Sequence, residues 1–546
     1  MKSNFKPLGI AAAVAAATAG YSNVASAHPA VANNALGDLA LVPYYTVADD
    51  WITGIHIVNT SDKTQVVKFR FRRAEDSMDA LDFNIVMSPH DVYAGFLSDD
   101  ENGAISWSAD DTTCTVPATS GGKLTMPEIF REGAETGYVE IIAMGQTVTE
   151  TQPIAIAAKH SGAGSDPALT PLSCQMVRGN FFADGTSTRQ GVENPALTWA
   201  TDILDLDDDD STSDELSSAY EDSDNVLKVS YFIRDNASGV EFGDNAVHIQ
   251  GHLEESAITN QQFGWLSGDL DGFDFPDLDG GSPVDGTRGR YDLLRQGDVL
   301  GVAALINEWT ANEANGAALD WVVTLPGQYT MLHQPGYVAS LQLESLSCVR
   351  PTTIGALDPA TQGADILAAL SGWSSGDAPV PVICDFRDLP VVADIAAWNR
   401  EEFQGEDPDE SLVVSPSPPG SVPQVVLEKE VNVITFGGNS VLGTSDTDIS
   451  ADLAQPYGWL SLSVSSGGSI CDWVASTDTG LGTSDTPVSG TPSARSAPQI
   501  LAQKSCATSL TPNTPIIGFA AWERNVAANP DASYGRIVAH SFVSGS

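Results

Sequence analysis

The chain has 546 residues, 42% of them hydrophobic, with 25 Lys and Arg against 72 Asp and Glu and a formal net charge of -47. That length exceeds one ordinary core and predicts two to four domains of about 150 residues each, while the apolar content argues against a chain disordered throughout. The acidity argues against nucleic acid and anionic membrane surfaces as partners, because phosphate binding needs clustered Lys and Arg.

Residues 1–6 are positively charged, 8–20 form an apolar run too short to span a bilayer, and Ala25-Ser26-Ala27 is an A-x-A cleavage signal. Residues 1–27 are therefore expected to be a signal peptide, with His28 opening the mature chain. No later stretch reaches the ~18 continuous apolar residues of a transmembrane helix. The expected location is secreted, extracellular or cell-surface, with the periplasm as an open alternative. Six cysteines form an even set in such a chain and favour disulfides. Neighbour pairing, Cys114–Cys174, Cys348–Cys384 and Cys471–Cys506, is the simplest of the available connectivities, each bridge stabilising by about 4 kcal/mol.

Residues 38–47 are the first strand candidate, and Pro43 places it at a sheet edge. In 65–73, Val67, Phe69 and Phe71 share one face while Lys68, Arg70 and Arg72 share the other; Leu81, Phe83, Ile85 and Met87 repeat the alternation. Strands at 51–58, 92–97, 103–107, 138–144 and 153–159, and a short helix at 126–134, complete an N-terminal β-sandwich domain over 28–200. Residues 201–225 carry too much like charge for a buried element and read as an acidic linker or loop. A mixed β domain with inserted helices follows over 226–404. Its best helix is 297–318, where Val299, Val302, Ala303, Leu305, Ile306 and Trp309 form a stripe near 3.6 spacing; 365–373 and 389–398 also read as helical. The Pro-rich, acidic segment 405–424 reads as a linker, and 425–546 as a C-terminal β domain. The fold class is mainly β: antiparallel, Ig-like sandwich domains with a few inserted helices and long acidic loops.

Several segments carry a resemblance: Leu36-Gly37-Asp38 with Pro43-Tyr44-Tyr45-Thr46, Asn59-Thr60-Ser61, 69–73, 81–91, 320–326, 518–524 and Tyr534-Gly535-Arg536. In these the chain resembles a loosely defined group of exported, uncharacterised cell-surface β-proteins of Gram-negative bacteria. The resemblance implies a surface location and carries no activity onto any residue. Because its pieces lie at both ends and in the middle, it also implies that distant segments share one structural unit.

The first candidate site is the Asp/Gly loop 268–281, in which Asp269, Asp271, Asp274, Asp277 and Asp279 alternate with backbone groups as oxygen ligands for calcium. It lacks the EF-hand order, and a solvated acidic loop is the competing reading. A mature N-terminal His28 could chelate copper with a second histidine, against an incidental cleavage position. His248 and His252 alternate like strand residues and read as a surface or partly buried pair. Hydrolase elbows, zinc-protease helices, P-loops and dinucleotide fingerprints are missing. The densest basic patch, Lys68, Arg70, Arg72 and Arg73, is expected to meet acidic groups of the same or a neighbouring molecule. The sequence thus points to an exported structural, matrix or adhesion protein of the cell surface, calcium-stabilised and self-assembling through the N-terminal edge strand 38–47, with a surface glycan or another surface protein as further partner. An extracellular hydrolase or metal-dependent oxidase, or a carbohydrate-binding protein drawing on the 11 tryptophans, are the alternatives.

Overall fold

The computed structural model describes residues 29–160, 173–181, 220–253, 256–258, 278, 299–310, 316–326, 391–398, 424–449, 457–464, 470–475, 502–507, 514–526 and 533–544, apart from 76, 78, 101, 127–130, 132, 438–439 and 525. Among these the chain is mainly β, with several antiparallel sheets and two short helices. The first lobe contains β1 (Ala30–Val31), β2 (Leu39–Thr46), β3 (Trp51–Asn59), β4 (Gln65–Arg73), β5 (Asp79–Met87), β6 (Val92–Ser98) and β7 (Ser106–Ser108). It continues with β8 (Cys114–Val116), β9 (Lys123–Thr125), β10 (Thr136–Thr147), β11 (Tyr220–Glu221), β12 (Leu227–Asp235), β13 (Glu241–Asn245) and β14 (Val247–Gln250). One sheet runs β1-β14-β2-β10-β4-β5-β8 with β11 on β10, the other β13-β12-β3-β6-β7-β9. Between them lie Phe69, Phe71, Phe83, Tyr93 and Trp107, whose rings meet edge-on or tilted at centroid distances of 4.9 to 6.5 Å. The alternation read in β4 and β5 is the one that fills this core.

The second lobe holds β15 (Gly301–Thr310), β16 (Ala317–Thr324), β17 (Val391–Trp398), β18 (Gln424–Leu427), β19 (Val431–Thr435), β20 (Thr447–Asp448) and β21 (Tyr457–Val464). After it β22 (Ile470–Ala475) and β23 (Ala502–Ala507) pair with each other in a separate two-stranded sheet, and the lobe ends with β24 (Thr514–Pro515), β25 (Ile517–Arg524), β26 (Tyr534–Ala539) and β27 (Ser541–Ser544). Its sheets run β18-β17-β21-β15-β24, with β27 on β15, and β20-β19-β16-β25-β26. The second of these is covered twice: Val322, Val433 and Phe519 join the first lobe's core, while Trp321, Val323 and Ile434 join the second lobe's. Burial on both faces explains why β16 and β25 read as nearly continuous apolar runs.

Four expectations are corrected here. The strand at 38–47 is no edge: β2 pairs with β14 on one side and β10 on the other, and all eight residues are buried. Pro43 is tolerated because the register against β10 shifts at Tyr138, leaving two residues opposite one, and a bulge needs no ladder donor there. The N-terminal edge is instead β1. The described residues of the helices expected at 297–318 and 389–398 are strands, β15 to β16 and β17, apart from Val299 and Leu300, which are helical. The strand expected at 153–159 is a short helix, Pro153–Ala158, with Pro at its first turn and alanines after it. Pairing also crosses the boundaries drawn at 201–225 and 405–424, since β12 pairs with β3 and β17 with β21. The helix expected at 365–373 lies outside the described residues, as do 127–130 of the one expected at 126–134.

Candidate functional site

Lys68, Arg70 and Arg72 of the basic patch lie on the face of β4 opposite Phe69 and Phe71, and these three and Arg73 are buried. Arg70 stands between its register partners Glu140 on β10 and Asp82 on β5. Its guanidinium is 3.0 Å from Glu140 and 3.6 Å from Asp82, while Lys68 Nζ donates to Asp82 at 3.1 Å. Arg72 donates through Nε to Glu140 and through Nη1 to the Ser77 carbonyl at 2.9 Å. Lys68, Arg70, Arg72 and Glu140 have no exposed surface. The network reaches the second lobe: the Tyr138 and Ser77 hydroxyls are 2.9 Å apart, and the Ser77 hydroxyl donates to Glu430 between β18 and β19. Thr324 donates to the Pro43 carbonyl at 2.6 Å and Val431 to that of Ala74 at 3.0 Å. Internal ion pairing, the expected reading of the patch, holds, and such groups act as a lock between lobes rather than as an exposed receptor.

An open cleft of about 870 Å³ is lined by the β5–β6 turn from Ser88 to Val92, by Ala109 to Thr112, and by Lys159 and His160. In its wall His160 sits between Thr112, whose hydroxyl is 3.3 Å from Nδ1, and Asp91, whose carboxylate is 3.2 Å from Nε2 and pushes the imidazole pKa up. The Asp91 carboxylate also accepts from the Ser88 and Val92 amides and the Thr113 hydroxyl, so it braces the β5–β6 turn. The other buried histidines are structural. His248 Nε2 accepts the Val229 amide at 2.8 Å, and burial pulls its pKa down to about 4. His540 bonds the Val322 carbonyl and Asn307, with its pKa likewise near 4. His248 and His252 are both buried rather than at the surface. Asp320 on β16 receives the Val441 and Leu442 amides and the Ser440 hydroxyl on one oxygen, while burial raises its pKa to about 7.

The outer face of the sheet β13-β12-β3-β6-β7-β9 is partly exposed. Register fixes its rows: Phe232, Gly54 and Phe96 lie side by side, as do Ser230, His56 and Ala94, and then Lys228, Val58 and Val92. Gly54 leaves room for the Phe232 ring, which lies over it where a Cβ would be. Val92 is 48% and Phe96 41% exposed, and the face adds exposed Lys228, Arg234 and Lys123 with Glu241 as its one carboxylate among the outward strand positions. On a chain of net charge -47, this is a cationic, partly apolar island.

The candidate calcium ligands Asp269, Asp271, Asp274, Asp277 and Asp279, and His28, lie outside the described residues. Among the described residues no group of three or more His, Cys, Asp or Glu is placed to hold a metal ion, and no helix is long and apolar enough to cross a membrane. Cys114 and Cys174 are bonded, tying the short helix Cys174–Arg178 to β8. Cys471 stands opposite Cys506 in the β22–β23 ladder, and Cys348 and Cys384 lie outside the described residues. The sequence reading did not single out Phe96 and Phe232, nor the cross-strand pair Trp398 and Trp459; period-2 spacing was visible, but which face met solvent was not. No family model, curated protein or solved structure matches the chain.

Proposed function

We propose that the chain is an exported structural component of the cell surface that assembles with copies of itself through the outer face of the β13-β12-β3-β6-β7-β9 sheet. The observation that carries this reading is the row Phe232–Gly54–Phe96, with exposed Val92 two rows away across Ser230, His56 and Ala94, an interrupted apolar strip among Lys123, Lys228 and Arg234. Exposed apolar strips of this kind mark interaction surfaces. The charge pattern selects the geometry. A two-fold contact would set the three cations against themselves, whereas the acidic remainder of a second copy complements them. The contact is therefore heterologous, joining two different patches, and such contacts propagate into rings or open arrays, as a surface matrix requires. The interlocked ion network keeps the lobes at a fixed angle, so that each copy adds in the same orientation. Electron microscopy of the purified full-length chain tests the reading: ordered arrays or rings are expected, and Phe96→Asp removes them while leaving the monomer folded.

A further inference from the structure

The second lobe carries a different exposed surface. On the outer side of its β18-β17-β21-β15 sheet, Trp398, Trp459 and Glu308 are register neighbours on three adjacent strands, a row spanning about 10 Å at the usual strand spacing. The two indoles stack in parallel, 3.9 Å between centroids and 7° between planes, and Trp459 is 40% exposed. Glu308 accepts from Arg536 at 2.8 Å, with both side chains about half exposed. The Arg536 guanidinium lies 4.6 Å over Trp522, which in turn contacts the exposed Tyr534 at 5.6 Å. A cross-strand stack stabilises its sheet wherever it sits. Here Trp459 stands partly in solvent, and the row continues directly into the Glu308–Arg536 ion pair.

We infer that this row binds a neutral polysaccharide chain. Each element of the row answers one property of such a ligand. Pyranose rings offer an apolar C–H face, which parallel indoles held by each other meet without losing rotamer freedom on binding. Their vicinal hydroxyls both donate and accept, matching a carboxylate acceptor beside a forked guanidinium donor. Glu308 and Arg536 cancel in charge, and the net charge of -47 repels uronate or sulfate polymers, which selects a neutral chain. The inference is independent of the assembly face, which lies on the other lobe.

Affinity electrophoresis of the full-length chain tests it, in gels containing dextran, mannan or a mixed β-glucan, with alginate as the acidic comparison. Retardation by at least one neutral polymer is expected, with affinity weakened about tenfold by Trp459→Ala and largely kept by Trp459→Phe. Should Trp459→Ala fail to fold, Glu308→Gln combined with Arg536→Gln alters only exposed polar groups and is expected to weaken retardation to a similar degree. Absence of retardation by every neutral polymer, retardation by alginate alone, or retardation unchanged in these variants would overturn the inference.

Discussion

Arg70 Nη1 lies 3.0 Å from Glu140 Oε2, and neither side chain has any exposed surface. The two are register partners on β4 and β10, the most centrally placed strands of the first sheet. Glu140 also holds Arg72 Nε and accepts from Tyr138 at 3.3 Å. Removing it would take a carboxylate from two buried guanidinium groups, leaving Arg70 with Asp82 at 3.6 Å and Arg72 with the Ser77 carbonyl. Loss of one member of a buried pair costs more than the pair contributes, because the remaining charge keeps its desolvation penalty.

Glu140→Ala is accordingly expected to destabilise the chain by about 3–5 kcal/mol, read as the shift in the urea midpoint at constant slope. Arg70→Ala combined with Glu140→Ala is expected to cost clearly less than the sum of the two single changes, since the pair is removed together.

The Cys114–Cys174 bridge closes a loop of 60 residues, for which the chain-entropy estimate is about 4 kcal/mol. Cys174→Ser is expected to lower stability by roughly 2–4 kcal/mol. The loss should fall first on the 153–160 segment and the Cys174–Arg178 helix, which pack on each other beside β8, and hydrogen exchange of those amides measures it.

The acid response follows from three buried groups. His248 and His540 have pKa values depressed to about 4, so from about pH 6.5 down to pH 4 the unfolded state binds two protons that the folded state does not. Asp320, raised to about 7 by burial, works in the opposite sense: the folded state holds its proton between about pH 7 and 4, a contribution lost as pH rises through 7. The three together leave one excess proton on the unfolded state between pH 4 and 6.5, a loss of about 1.4 kcal/mol per pH unit on acidification. Asp320→Asn removes the opposing group and is expected to steepen that slope, while His540→Gln flattens it. Denaturation midpoints across this window check both signs.

Much of the first sandwich was legible because Val67, Phe69 and Phe71 repeat at the strand period and fill its core. Two of the errors came from bulges. In β15 the buried positions are Val302 and Ala304, then Leu305, Asn307 and Trp309, so burial changes parity just past the register shift against β27 between Val302 and Ala304. That parity change places Val302, Leu305 and Trp309 at spacings of a helical stripe. Pro43 misled in the same way, because a bulge shelters a proline as well as an edge does. The site was less legible than the fold. Phe96 and Phe232 belong to ordinary alternating strands, and only the pairing of β12 with β3, from residues far apart in sequence, sets them on either side of Gly54.

The claim of assembly through this face is tested most directly by sedimentation velocity of the full-length chain over a concentration series, at about 0.1 M and about 1 M salt, where screening lengths are about 10 Å and 3 Å. Species larger than a dimer are expected at low salt, growing with concentration, shrinking at high salt and lost in Phe96→Asp. A monomer at every concentration, a dimer that ignores salt, or an unchanged distribution for Phe96→Asp would contradict it.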